Sequence, residues 1–396
     1  MLYSEKWCGK RKPAWRHRGE NMELSDIRKK IDSIDGEIVS LYEKRMRLCE
    51  AVAEYKIENG RNVLDPEREQ NKLLSLGELT EDERISKDVT ELFRQIMAMS
   101  RRRQYSIMTE RGIKGKPPFM AVDSLDTAGA RIIFQGITGA YSEAAAIAFF
   151  GNKADISPVA TFRDVMRAIG EGRGDYGVLP IENSSSGIVN ANYDLLTEYE
   201  NYIVAEQVLE IDNCLMGLPG AELKDIKKVY SHPQALMQCT RFLDKHPSWE
   251  QEGLGNTAMA AKKVRDDGDV FKAAIGGRRA AEVYGLKILE TGISVGGNNF
   301  TRFIVVGNQR IFLRNAKKIS ICFEIEHRSG SLYEILSHFI FNDLNMTKIE
   351  SRPIPDRPFE YRFFVDFEGN LVDSGVRNAL SGIREESRNL RILGNY

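Results

Sequence analysis

The chain predicts a multidomain protein: an all-helical N-terminal domain, an α/β domain in the middle, and an α+β domain of βαββαβ order towards the C-terminus. Three observations carry this. Between Ile27 and Tyr55 the apolar residues recur at alternating steps of four and three, the seam of a long packed helix. From Arg131 to Gly307 strand-like and helix-like patterns alternate, the mark of an α/β domain. From Ile319 onward a period-two strand is followed by a helix and two further strands. The 396 residues are ample for three cores. The expected boundaries are a disordered basic lead over 1–21, the helical domain over 22–110, a linker over 111–129, the α/β domain over 130–308 and the C-terminal domain over 317–396.

Composition narrows the function classes. Hydrophobic residues make up 42% and charged residues 29%, with a net charge of -1; no basic field argues for nucleic acid. No apolar run reaches the roughly 18 residues that would span a bilayer. The five cysteines (Cys8, Cys49, Cys214, Cys239 and Cys322) are scattered and form no Cys-x-x-Cys pair. That pattern reads as free thiols in a reducing cytoplasm. The histidines show no metal-ligand spacing, so neither a metal nor another cofactor is expected. The lead over residues 1–21 mixes Lys6, Lys10, Arg11, Lys12, Arg16 and Arg18 with Trp7 and Trp15, and lacks the apolar core of a secretory signal.

The helical seam runs through Ile27, Ile31, Ile34, Ile38, Leu41, Leu48, Val52 and Tyr55. A helix of that length reaches about 45 Å, more than a small monomeric domain needs, so a second subunit is expected against it. Arg45 sits inside the seam. A buried guanidinium needs an anion, and two readings stay open: a ligand, or a glutamate on a neighbouring helix. Lys56 lies about three turns on and on nearly the same face, whereas Arg28 falls about 100° away around the helix. Asp65-Pro66 reads as an N-cap and first helical residue, which places Arg68 and Glu69 one turn along. Thr80 and Glu83 read as a capping box for a third helix, on which Ser100 and Gln104 share a face.

Arg28, Arg45, Lys56, Asp65, Arg68, Glu69, Ser100 and Gln104 together resemble the site pattern of the all-helical chorismate mutases, over about residues 24–107. The resemblance implies intertwined subunits that share each site, with Arg28 supplied by the neighbouring chain. It implies a Claisen rearrangement of chorismate to prephenate. Arg28 and Arg45 would hold the carboxylates, Lys56 and Gln104 face the ether oxygen, and Glu69 accept from the ring hydroxyl. Such a reaction needs folding of the substrate and charge stabilisation, with no covalent step.

Lys114–Pro118 reads as a linker. Strands are expected over Arg131–Gln135, Tyr176–Pro180 and near Ile203–Leu209. Helices are expected up to Phe150, from Thr161, over Ala191–Tyr199, and from Pro233 to His246. The Gly136–Ser142 loop opens a helix whose free amides suit a carboxylate. Two blocks about 120 residues apart, Asp175–Ser184 (with Pro180-Ile181-Glu182-Asn183-Ser184) and Gly297–Phe303 (with Thr301-Arg302-Phe303), resemble the prephenate dehydratases. The fold this implies has two lobes and a cleft, like the periplasmic binding proteins. Aromatisation drives the reaction, and the enzyme has to help hydroxide leave. By resemblance Thr301 is the donor, supported by Asn183, Ser184, Ser231 and Gln238. Arg302 is read either as a carboxylate ligand or as a structural ion pair, and His232, before Pro233, as a turn residue.

The C-terminal pattern places strands over Ile319–Ile325, near Thr347–Glu350 and over Tyr361–Phe367, with a helix over Leu332–Phe341. Gly330-Ser331-Leu332 and Glu350-Ser351-Arg352-Pro353 resemble the amino-acid-sensing ACT domain of the dehydratase subgroup. Gly330, Leu332, Glu350, Ser351, Arg352 and Pro353 would then bind L-phenylalanine where two such domains meet. As a separate module, residues from Lys317 onward are expected to be removable without loss of dehydration. Together the resemblances imply a bifunctional enzyme of phenylalanine biosynthesis, a homodimer or larger, acting on chorismate and prephenate without nucleic acid or membrane. The alternatives are a regulator or sensor with the same folds but no catalysis. Prephenate and arogenate are not distinguished by sequence.

Overall fold

The computed structural model describes residues 23–113, 118–295, 299–355 and 357–396. The basic lead expected over 1–21 lies outside them. Two compact units divide at Ile107 and Met108.

The first unit is helical. Its helices are α1 (Leu24–Glu58), α2 (Pro66–Gly77) and α3 (Glu83–Glu110), the last continuing past the division. Asp65 caps α2 through the Arg68 amide at 3.2 Å, with Pro66 at the first position. The start of α3 differs from expectation. Asp82, two residues nearer the helix than the predicted Thr80, takes the amides of Arg84 at 2.8 Å and Ile85 at 3.4 Å. Thr80 instead donates to the Asp82 carbonyl. The short Asp82 carboxylate is in place before the Thr80 hydroxyl can reach, so no Thr80–Glu83 box forms. Helix α1 buries only Cys49 and Ala53. Its seam is left uncovered by the described residues: Ile34 is 56%, Leu41 64% and Leu48 69% exposed.

The second unit begins with β1 (Met120–Val122) inside the segment read as a linker. Then follow β2 (Arg131–Gln135), α4 (Tyr141–Phe150), β3 (Asp155–Val159), α5 (Phe162–Gly170), β4 (Tyr176–Asn183), β5 (Gly187–Ile188), α6 (Asn190–Glu198) and β6 (Tyr202–Glu210). The chain next builds β7 (Asn213–Gly217), β8 (Lys228–Ser231), α7 (Pro233–Gln238), α8 (Thr240–Leu243), β9 (Glu250–Gly253), α9 (Thr257–Asp267), β10 (Lys272–Gly277), α10 (Arg278–Tyr284) and β11 (Lys287–Glu290). It returns through β12 (Phe300–Gly307) and β13 (Ile311–Leu313), which pairs in parallel with β1. The helix expected from Pro233 to His246 is broken at Cys239, whose backbone leaves the helical region (φ -104°, ψ 10°).

Two lobes result. The first carries the strand order β6-β12-β4-β2-β3, and the second carries β11-β7-β10-β8-β9. Strands β4 and β12 are buried on both faces and so read as nearly continuous apolar runs. Alternate residues feed different cores. Val178, Phe303 and Val305 pack with α4 and the second lobe, whereas Leu179, Ile181, Ile304 and Val306 pack with α5 and α6.

The C-terminal part is β14 (Lys318–Glu324), α11 (Ser331–Ile340), β15 (Met346–Pro353), β16 (Tyr361–Glu368), α12 (Ser374–Glu386) and β17 (Arg388–Asn395), the expected βαββαβ order. Its antiparallel sheet runs β15-β16-β14-β17. One face (Ile319, Ile321, Phe323, Val365 and Phe367) packs under α11 and α12. The other contributes Cys322, Phe364 and Leu393 to the core of the first lobe. Strand β17 joins β6 in parallel at Gly394–Ile203. A Cβ at Gly394 would lie 2.1 Å from the Ile203 carbonyl oxygen, so only glycine permits this approach.

Two candidate active sites

Within the helical unit one cleft is lined by all three helices. From α1 come Arg45 and Lys56, from the start of α2 Asp65, Arg68 and Glu69, and from α3 Ser100, Arg101 and Gln104. Seven of the eight residues singled out from sequence thus meet. The Arg45 guanidinium donates to the Ser100 hydroxyl and to the Ile96 carbonyl at 3.4 Å. It meets no carboxylate among the described residues, which leaves the glutamate-partner reading unrealised. Lys56 donates to the Val63 carbonyl, and Glu69 is held by Arg101. Gln104 is buried, and its Oε1 has no partner among the described residues. Arg28 is absent from the cleft: 17 residues of helix separate it from Arg45, about 25 Å along the axis.

Arg101 was not singled out, although it lies three residues before Gln104 and so on its face. Arg61 and Lys72 line the cleft too. Six cationic side chains (Arg45, Lys56, Arg61, Arg68, Lys72 and Arg101) face three acidic ones (Asp65, Glu67 and Glu69). A balance of +3 suits a dianionic ligand.

The second cleft lies between the lobes, about 460 Å³ in volume. The first lobe supplies Tyr141, Ser142, Asn183, Ser186 and Thr301; the second supplies Asn213, His232, Gln238, Asn256 and Thr257. Thr301 is 8% exposed. Its hydroxyl oxygen accepts from Asn183 Nδ2 at 2.9 Å. Asn183 cannot be turned over, because its Oδ1 accepts the amides of Ser185 at 3.0 Å and Ser186 at 2.9 Å. With its oxygen occupied in this way, Thr301 keeps its proton for another acceptor.

A β-bulge makes this pair possible. Thr301 faces Asn183 and Arg302 faces Glu182, but Phe303 faces Pro180, leaving Ile181 as the extra residue. Simple alternation would put Pro180 and Asn183 on opposite faces. With the extra residue both line the cleft, opposite Thr301 and Phe303.

An amide network joins the lobes. Gln238 Nε2 donates to Ser185 Oγ at 2.8 Å, and Asn299 Nδ2 to Gln238 Oε1 at 3.2 Å. Tyr141 donates to Asn213 Oδ1 at 3.0 Å, and burial holds its phenol well above the usual range, so it stays a neutral donor. Helix α4 has no capping side chain at Ala140, so its first-turn amides remain for an anion. Gly139, at φ 91°, makes the turn that aims them.

Three expectations are corrected here. The Ser231 hydroxyl is fully buried and donates to the Ile275 carbonyl at 2.7 Å. Ser184 accepts the Phe300 amide at 2.9 Å, holding the two blocks together from outside the cleft. Arg302 alternates with Thr301 and points the other way, to Glu182 at 2.9 Å and Asp366 at 3.1 Å. Its structural reading is the one realised. No Lys, Arg, Asp or Glu side chain lines the cleft among the described residues.

His232 does cap a helix, as a turn residue would, accepting from the Gln234 amide at 3.3 Å through Nδ1. It also lines the cleft. With Nδ1 accepting, Nε2 carries the proton, and burial lowers the pKa. Tyr141, Ser142, Asn256 and Thr257 could have been found as first residues of helices opening on a cleft. Asn213 leaves no signal in sequence.

Near the C-terminal end, Gly330 caps α11. Arg352 is held by Asp194 of α6 at 2.6 Å. By strand alternation Lys348, Glu350 and Arg352 face the first lobe, whereas Ser351 and Pro353 are exposed on the opposite face. The six expected effector residues therefore do not share one surface within this chain.

Comparison with known proteins gives a consistent picture. A family model for chorismate mutase type II matches residues 27–105, and one for prephenate dehydratase matches residues 132–311. The bifunctional chorismate mutase/prephenate dehydratase of Escherichia coli K12 is 32% identical over 379 residues, 94% of this chain and 96% of that protein. Arogenate dehydratase/prephenate dehydratase 6 of Arabidopsis thaliana is 39% identical over 283 residues, 67% of this chain and 68% of that protein. The crystal structure of prephenate dehydratase from Arthrobacter aurescens in complex with L-Phe has 31% identity and a TM-score of 0.63, covering 67% of this chain and 89% of that one.

Proposed function

Because the chain belongs to the bifunctional chorismate mutase/prephenate dehydratase family, we propose that its two clefts divide the two reactions between them. The chain is a chorismate mutase and a prephenate dehydratase of phenylalanine biosynthesis; the assignments of residues are our own reading. In the helical cleft Arg45 binds one carboxylate of chorismate, and Arg28 of a second copy binds the other. Lys56 and the second N–H of the Gln104 amide, whose Nε2 also donates to the Ser100 carbonyl at 3.3 Å, face the ether oxygen, where negative charge grows as the C–O bond breaks. Glu69, steered by Arg101, accepts from the ring hydroxyl. The distance from Arg28 to Arg45 and the uncovered seam of α1 both support a homodimer.

In the inter-lobe cleft Thr301 donates to the departing hydroxyl of prephenate. The bond from the ring to its carboxylate breaks and releases carbon dioxide, its electron pair completes the aromatic ring as the C–O bond breaks, and the hydroxide, hydrogen-bonded to Thr301, takes a proton from solvent and leaves as water. The hydrogen bond from Asn183 carries this reading, since it leaves the Thr301 proton pointing at substrate. The carboxylates are met by amides at the starts of α4 and α9 and by neutral side chains. L-Phenylalanine is the feedback inhibitor, bound by an ACT-like C-terminal domain. The exposed face of Ser351 and Pro353, with Leu332 and the amides after Gly330, is the favoured surface; Glu350 and Arg352 are assigned to inter-domain contact.

One crossed experiment tests the division. Arg45→Ala should abolish chorismate rearrangement and spare prephenate dehydration. Thr301→Ala should lower dehydratase kcat by about 10²-fold, the scale of losing one key donor, with little change in KM. Near-normal dehydratase turnover in Thr301→Ala, or loss of both activities in either folded variant, would refute the assignment.

A further inference from the structure

Behind the β4–β12 pair, on the face away from the cleft, lies a cluster of six charged side chains. Arg302, Lys318 and Lys348 meet Glu182, Glu206 and Asp366. Three positive and three negative charges balance. Arg302 is the hub: Nη2 reaches Glu182 at 2.9 Å and Asp366 at 3.1 Å, and Nη1 reaches Glu206 at 3.4 Å. Lys348 completes a second path to Glu182 at 3.1 Å. Glu182 and Glu206 belong to the catalytic lobe, Asp366 and Lys348 to the C-terminal sheet. The side chains of Arg302 and Asp366 are 15% and 8% exposed, so removing one partner leaves a charge poorly solvated.

The position of this cluster matters more than its size. Arg302–Glu182 is the register pair between the Thr301–Asn183 pair and the extra residue Ile181. Asn183 faces Thr301 only while the bulge stays where it is. An ion pair on the residues flanking the bulge, held from behind by Asp366 and Lys348, fixes it there. Ser320 Oγ, which donates to the other oxygen of Asp366 at 2.5 Å, fixes that carboxylate in turn.

We propose that Arg302, clamped by Asp366 and Lys348 of the C-terminal domain, is a positioning residue that sets the Thr301–Asn183 geometry and carries the state of that domain to the dehydration step. The proposal rests on Thr301 as the donor. A shift of β15 and β16 relative to the catalytic lobe would loosen the clamp before it altered any residue in the cleft.

The test uses the full chain with Asp366→Asn and, separately, Lys348→Gln. Each should lower dehydratase kcat by at least about fivefold while KM for prephenate stays within about twofold, the separation expected when transition-state alignment alone is lost. Chorismate mutase activity should not change. In a Thr301→Ala background neither substitution should lower kcat further, because contacts that act through one residue are not additive. A merely structural cluster would instead multiply its loss onto that of Thr301→Ala. Should Asp366→Asn unfold the lobe, Lys348→Gln, at the edge of the cluster, decides alone. Unchanged kcat, a loss confined to KM, or multiplied losses would each overturn the proposal. Near-normal kcat in Thr301→Ala itself would instead refute the donor assignment.

Discussion

At the scale of single residues, no Lys, Arg, Asp or Glu side chain lines the inter-lobe cleft among the described residues, and burial favours the neutral form of His232 there. Burial lowers the pKa of His232 from its usual value of about 6.5. The unfolded chain therefore takes up this proton at higher pH than the folded one. The stability it contributes is present above about pH 6.5 and is lost as pH falls through the lower folded value. Protonation would also end the bond from the Gln234 amide to Nδ1. The acid limb of dehydratase kcat should accordingly lie below pH 6.5, as a rate profile would read directly; a limb centred near 7 would exclude His232 from it. Thr301 and Asn183, singled out from two distinctive blocks, and Gln238, named by resemblance alone, all line the cleft. Ser184 and Arg302 belong to the same blocks, and Ser231 stands outside them, but all three serve the scaffold. Sequence shows that a residue stands beside a site, whereas strand alternation and the bulge at Ile181 decide which way it faces.

Among the elements, the long apolar seam over Ile27–Tyr55 falls within α1, which runs three residues further at each end, and Arg131–Gln135 came out as expected. Helix starts were less so, since several short polar residues compete for the same amides. Asp82 rather than Thr80 caps α3, which gives an expected outcome: Asp82→Ala should cost the helical unit about 1 kcal/mol, and Thr80→Ala well under half of that. Denaturant unfolding followed through loss of mutase activity would measure both, and equal costs would restore the predicted capping box. The strand β1 escaped notice because three residues pairing with distant β13 carry no period of their own. The break at Cys239 was hidden for a similar reason, as nothing between Pro233 and His246 forbids a continuous helix.

For the whole molecule, domain order was legible but domain independence was not. Cys322, Phe364 and Leu393 complete the core around Leu179, Leu196 and Ile304, and Gly394 closes the seam against Ile203. A chain ending before Lys317 should therefore lose dehydratase activity by unfolding of the first lobe, against the expectation that the C-terminal domain is removable, while the helical unit keeps mutase activity. Assaying both reactions in one truncated preparation, with its melting curve, checks this; a stable and fully active dehydratase would show the shared core to be dispensable. The two clefts also differ in a way that reaches beyond either site. One is lined by six cations against three anions and the other, among the described residues, by no Lys, Arg, Asp or Glu side chain, so a single polypeptide carries one catalyst that responds to ionic strength and one that does not. Raising salt from about 0.05 to 0.5 M shortens the Debye length from roughly 14 to 4 Å and should raise KM for chorismate several-fold. KM for prephenate should hardly move, so the medium alone would change how much intermediate accumulates between the two steps.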